Sequence, residues 1–105
     1  MNKVLNYIGI ARRAGFMISG TDAVISALEK KAKLVIVAKD ASNATLDKLS
    51  KKCYFYKVPV INTLCTEEIA NATGLGNPKV IAITDQGISN QIIKIMNERG
   101  DTYES

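Results

Sequence analysis

The chain has 105 residues, 47% of them apolar and 23% charged, and a formal net charge of +4. That length suits one domain, and the composition is that of an ordinary folded protein rather than a disordered or fibrous one. Histidine is absent and the two cysteines, Cys53 and Cys65, form no C-x-x-C, which argues against the usual zinc sites and dithiol redox motifs and rules out any His-dependent triad.

In chain order, Val4, Leu5, Ile8 and Ala11 recur at helical spacing and predict a first helix over 3–14. Gly15 stands where a left-handed cap is wanted. Phe16-Met17-Ile18 suits a brief edge strand. Ser19, Gly20, Thr21 and Asp22 then offer several N-caps to a second helix. Its apolar face is Val24, Ile25 and Leu28, and Ser26 and Glu29 fall on the other. Lys30, Lys31 and Lys33 end it, where cations complement the helix dipole.

Leu34-Val35-Ile36-Val37-Ala38 is apolar throughout, the mark of a strand covered on both faces. A third helix is predicted from the caps around Ser42 to about Cys53, with Leu46, Leu49 and Cys53 inward and Lys48, Lys51 and Lys52 outward. Val58-Pro59-Val60-Ile61 reads as a strand, and Pro59 argues for an edge. Asn62-Thr63 opens a predicted fourth helix, with Glu67 and Glu68 in its first turn. Residues 73–78 form the most loop-like stretch, before a second buried strand, Val80-Ile81-Ala82-Ile83-Thr84. Asp85 caps a fifth helix striped by Ile88, Ile92, Ile95 and Met96. Strands separated by helices imply a layered α-β-α sandwich. The reading is one domain over 1–100 and a flexible tail at 101–105.

No apolar run reaches the roughly 18 residues of a membrane helix, and the N-terminal run is too short and polar for a signal peptide. A soluble cytoplasmic protein is expected. Charge is uneven: residues 1–57 carry +7 and residues 58–105 carry −3. A basic first half suggests a polyanion-facing side.

Three chemistries can be weighed on these residues. Asp40 and Asp85 follow buried strands, where α/β proteins place catalytic groups, and Asp22 could join them around magnesium; all three are also good helix-entry residues. Gly74-Leu75-Gly76 resembles half a dinucleotide fingerprint but precedes a strand, the wrong order for amides at a helix start to meet a pyrophosphate. Ser19 to Ala23 has the right order. Gly20 permits close approach, free amides favour an anion, and Lys30, Lys33 and Lys39 extend a positive surface.

Three longer segments carry a resemblance. G-T-D-A-V-I-S-A-L-E-K-K-A-K-L-V-I-V-A-K-D resembles the signature of the L7Ae/L30e type of ribosomal protein, and L-D-K-L-S-K-K-C-Y-F-Y-K-V-P-V and V-I-A-I-T-D-Q-G-I-S-N are similar to the bacterial YlxQ-like branch. The resemblance spans nearly the whole chain. It implies a three-layer α-β-α sandwich with a small mixed sheet, no catalysis and no cofactor. The implied partner is structured RNA, ribosomal or other non-coding, typically a kink-turn entered by the start of the second helix, with association with the ribosome.

Carried over residue by residue, Gly20 and Thr21 match, and Lys30 matches the basic helix end, with the turn to Lys33 one residue short. Asp22 stands where Asn is usual, Ala23 replaces Glu, and Ser26 replaces Lys. Leu75 matches the loop that covers flipped-out nucleotides, while Gly76 and Asn77 replace its acidic and apolar residues, and Ile69-Ala70 stands for a Leu-Gly pair. Base or ribose contacts are expected from Thr21 and Asp22, and backbone contacts from Ser26, Lys30, Lys33 and Lys39. The losses at Ala23 and Ser26 equally suit a protein–protein interaction module of the same fold with a degenerate RNA face.

Overall fold

Leu34–Val37 and Val80–Ile83 are buried at every residue, and they lie side by side at the centre of the protein. The structure, a computed structural model, describes residues 2–98; the tail expected at 101–105 lies outside them. Nine elements follow in order: α1 (Asn2–Arg13), β1 (Met17–Ser19), α2 (Thr21–Ala27), β2 (Leu34–Val37), α3 (Asn43–Tyr56), β3 (Val60–Ile61), α4 (Thr66–Thr73), β4 (Val80–Ile83) and α5 (Gln86–Glu98).

The sheet runs β1-β4-β2-β3. β4 is antiparallel to both of its neighbours, and β2 is parallel to β3. The sheet is therefore mixed, with β1, the expected edge strand, at one margin and the strand after Pro59 at the other. Only β2-α3-β3 connects adjacent parallel strands by a crossover.

The period of two sorts the central side chains by size. Register pairs Leu34 with Ile83 and Ile36 with Ile81 on one face, and Val35 with Ala82 and Val37 with Val80 on the other. The Leu and Ile face packs with Val4 and Ile8 of α1, Ile69 of α4, and Ile92 and Met96 of α5. The Val and Ala face packs with Val24 of α2 and Leu49 and Cys53 of α3. Three helices cover one side and two the other, which makes the α-β-α sandwich.

Three helix ends differ from expectation by three residues or more, each for a local reason. α3 runs on through Tyr54, Phe55 and Tyr56 until Lys57, at φ 60 and ψ 41, turns left-handed and returns its amide to Cys53 and Tyr54 carbonyls. α4 begins at Thr66, not at Asn62, whose side-chain Nδ2 instead donates to the carbonyls of Val37 and Ala38 at 3.0 and 3.2 Å. α2 ends at Ala27, so Lys30, Lys31 and Lys33 lie in the turn beyond it rather than in its last turn. Asp85 caps α5 as expected, its carboxylate accepting the Ile88 amide at 2.8 Å. On α5 the inward face also takes Ser89, which the apolar stripe gave no reason to expect.

Ile36 is fully buried on the three-helix face. Ile36→Ala is expected to lower unfolding stability by about 2–5 kcal/mol and Ile36→Val by about 0.5–1.5 kcal/mol, read from the midpoint of urea unfolding at constant m.

Candidate nucleic-acid interface

Because β4 alone is reversed, one end of the sheet collects the C-terminal ends of β1, β2 and β3 and the N-terminal end of β4. Gly20 follows β1 there and donates its amide to the Val80 carbonyl at 3.0 Å. On the other side of β4, Ala38 donates to the Lys79 carbonyl at 2.8 Å. The start of α2, the exit of the 74–79 loop and the residues after β2 are thus tied into one surface. The opposite end holds Lys33, whose amide bonds the Ile83 carbonyl at 2.8 Å.

Gly20 is the N-cap of α2, with φ 100 and ψ 142. Only glycine takes that conformation without strain. A Cβ placed on it would meet no atom within 4 Å, so the surface in front of it is open. None of Ser19, Thr21 or Asp22 supplies a side-chain cap to the helix, contrary to the expectation that one of them would. Val24 makes the first intrahelical bond, to Gly20. The amides of Thr21, Asp22 and Ala23 have no hydrogen-bond partner among the described residues.

The next three helices are closed differently. Ser42 accepts the Thr45 amide at the start of α3. Asp40 accepts the Thr66 amide of α4, Glu68 accepts the Cys65 amide before it, and Asp85 serves α5. Among α2 to α5, α2 is the one whose first turn receives no side-chain hydrogen bond.

Around this opening Asp22 and Ala23 are exposed and Thr21 is partly buried. Ser26 is exposed one turn on, where Ala23, Ser26 and Lys30 line a shallow depression on the outer face of α2. Lys39 is exposed, and its amide bonds the Leu64 carbonyl at 2.8 Å. Gly76 and Asn77 are exposed in the loop before β4. Leu75 is partly buried, its side chain packed on the three-helix core and its amide on the Thr73 hydroxyl at 3.2 Å.

Gly20, Thr21, Asp22, Ala23, Lys39 and the 74–79 loop therefore share one end of the sheet. Lys33 does not join them, and Lys30 reaches them only along the depression it shares with Ala23 and Ser26. Lys30 lies in the turn beyond α2, and Lys33 is tied by its amide to the Ile83 carbonyl at the far end.

Asp40, weighed in the sequence as a metal or catalytic carboxylate, instead fixes this surface together with Thr66 and Lys79, which nothing in the sequence singles out. Asp40 Oδ1 accepts from the amide and hydroxyl of Thr66 at 2.8 and 2.9 Å. Lys79 Nζ donates to the same hydroxyl at 2.9 Å and meets Asp40 Oδ2 at 3.4 Å. The residues after β2, the start of α4 and the start of β4 are braced together. Asp40 follows β2 and Asp85 follows β4, so the antiparallel pairing puts the two carboxylates at opposite ends. No group of three or more metal-ligating side chains occurs among the described residues.

Both cysteines are free thiols. Burial pushes Cys53 up to about 12, which leaves it inert. The Cys65 amide, and its side chain, hold the Glu68 carboxyl below its usual range, and Lys39 adds to that. Lys39 therefore stands near α4's first turn. No helix among the described residues is long and apolar enough to cross a membrane.

Residues 2–93 match the model of the ribosomal protein L7Ae/L30e/S12e/Gadd45 family. An RNA-binding protein YlxQ of Bacillus subtilis (strain 168) is 36% identical over 91 residues, 86% of this chain and 91% of its own length. An RNA-binding protein YlxQ of Enterococcus faecium is 39% identical over 89 residues, 83% of this chain and 84% of its own. A solved structure of a protein with unknown function from Bacillus halodurans C superposes with a TM-score of 0.88 at 30% identity, over 92% of this chain and 99% of that one. The Giardia lamblia 15.5kD RNA binding protein superposes with a TM-score of 0.78 over 92% of this chain and 84% of that one; at 20% identity it shows the shared fold.

The backbone and hydroxyl of Thr66 hold Asp40 down to about 2 from 3.8, with Lys79 adding to them. A depressed carboxyl contributes stability above its unfolded value of 3.8 and loses it as pH falls through about 2. Asp40→Asn keeps an acceptor but removes the charge. The wild type is expected to melt above this variant near neutral pH, with the gap closing between about pH 4 and pH 2, as followed by thermal unfolding over a pH series.

Proposed function

Because the chain belongs to the ribosomal protein L7Ae/L30e/S12e/Gadd45 family, we propose that it is a non-catalytic RNA-binding protein that receives structured RNA at the Gly20 end of its sheet. The observation that carries this reading is the unoccupied first turn of α2, behind a glycine that leaves room for another backbone. Three unpartnered amides at a helix start offer hydrogen bonds and a favourable field to a phosphate oxygen. α2 is short, seven residues, so local amide geometry matters more than a long macrodipole.

In this reading the backbone of Gly20 to Ala23 grips the sugar-phosphate chain at a sharp bend, and Thr21 and Asp22 reach unpaired or sheared bases. RNA of this kind is read where its bases leave the regular helix, because the A-form major groove is too narrow for side chains. Lys39 adds charge at the rim. The 74–77 loop lies beside the bend, where the half-exposed Leu75 and the side-chain-free Gly76 allow an unstacked base to settle, with Asn77 beside it. The residues lost from the family pattern are the reading residues. Asp22 accepts from a guanine but donates nothing, and Ala23 and Ser26 make neither the carboxylate nor the ammonium contact. The proposed partner is thus a kink-turn or related bend in ribosomal or other non-coding RNA, held more by its shape than by base identity.

Mobility shift over a salt series tests this. The wild type is expected to prefer kink-turn RNA to duplex DNA, with modest discrimination against a kink-turn whose sheared G·A pairs are replaced. The triple change Asp22→Asn, Ala23→Glu, Ser26→Lys should widen that discrimination by at least about tenfold, since each bidentate base contact is worth about 1–3 kcal/mol. Equal and negligible binding of kink-turn RNA, other structured RNA and duplex DNA at low salt would defeat the proposal.

A further inference from the structure

Half of the chain's six aromatic residues fall in one run, Tyr54-Phe55-Tyr56. α3 carries that run to its last turn and leaves Tyr54 and Phe55 75% and 74% exposed. Phe55 and Tyr56 brace each other edge-on, ring centroids 4.9 Å apart and planes at 87°. A fold gains by burying such rings, and this one holds them in water.

Their position in the fold gives them company. α3 leads through Lys57 into β3, whose start lies beside the start of β2, at the end of the sheet opposite Gly20. The turn after α2 reaches the same end, and α2 packs against α3. Across 28–33 and 47–57 there are seven lysines against two acids, Glu29 and Asp47, and Asp47 is paired with Lys51 at 3.0 Å. Lys33, which the Gly20 end does not gather, belongs to this corner, and Lys30 stands in the turn just before it.

We propose that the corner is a second RNA-binding surface, one that takes an unpaired, single-stranded segment. Bases stack on Tyr54 and Phe55, and phosphates run along Lys30, Lys33, Lys52 and Lys57. Exposed rings present a face to any base, and flanking cations track the backbone, the combination by which single strands are held without sequence preference. The charge chemistry favours a polyanion over a protein: cores of protein interfaces are depleted of lysine and enriched in arginine, and every cation here is lysine. The proposal goes beyond the reading above and needs no contact at Gly20.

The test uses the full chain and two probes at low salt: a labelled oligouridylate of about a dozen nucleotides, and kink-turn RNA without single-stranded ends. In the double variant Tyr54→Ala, Phe55→Ala both rings are exposed and alanine favours helix, so folding is retained. Oligouridylate affinity should fall about 5- to 150-fold for each stacked ring, while kink-turn affinity stays within about twofold, as expected of distant sites. Lys52→Ala should lower the slope of log affinity against log salt by about 0.7. The proposal fails if the double variant binds oligouridylate as the wild type does, or if the wild type binds the kink-turn and ignores oligouridylate. It fails equally if sedimentation shows ring-dependent self-association with no oligonucleotide bound. Failure to bind either RNA overturns both readings.

Discussion

The reversed strand β4 is the constraint on which the surfaces depend. With β1, β2 and β3 all pointing one way, a fourth strand in the same sense would have carried the 74–79 loop to the far end. Inserted antiparallel between β1 and β2, it instead delivers that loop against Gly20 and Ala38, each bonded to a β4 or pre-β4 carbonyl. The same reversal sends Asp85 away from Asp40, so residues that look equivalent in sequence, each an acid after a buried strand, never meet. Ladder hydrogen bonds and a four-residue register thus decide which side chains share a surface before any side chain chooses a partner.

The two central strands also show what a sequence discloses and what it hides. An unbroken apolar run identifies 34–38 and 80–84 as buried strands, because only a two-sided core removes the need for polar residues. Their order and direction are not written there, since direction depends on pairing between segments more than forty residues apart. Within each run Leu and Ile alternate with Val and Ala, and that alternation by size does carry the layer assignment. At the candidate surface Gly20 was legible because its position after a strand and before a helix is a backbone requirement. Its role as an uncapped opening was not, since Ser19, Thr21 and Asp22 all have capping chemistry and only geometry shows that none uses it. Lys33 illustrates the opposite case: near Gly20 in sequence, it is carried away by the length of α2 and the turn after it. The partners that give Lys79 its role, Asp40 and Thr66, are remote in the chain, so its own neighbours in the sequence carry no sign of it.

Positive charge is accordingly not one patch. At the Gly20 end part of it is already neutralised, where Lys79 faces Asp40. What that end offers is directional, a set of amides in fixed positions. The far end offers the reverse, ammonium groups on long side chains beside exposed rings. Salt weakens the second kind of attraction more than the first, since long flexible cations in water are held by little besides Coulomb forces.

Lys57 gives this asymmetry an unexpected counterpart in the backbone. It is the only non-glycine residue with positive φ among the described residues, and it holds the left-handed turn that stops α3. Glycine adopts that turn freely, whereas a side chain there costs about 1–2 kcal/mol. The native state therefore carries a small built-in tension at one corner of the molecule, beside the exposed rings. Selection for stability alone would relax it with a single codon's worth of change, so the corner holds more side chain than folding requires.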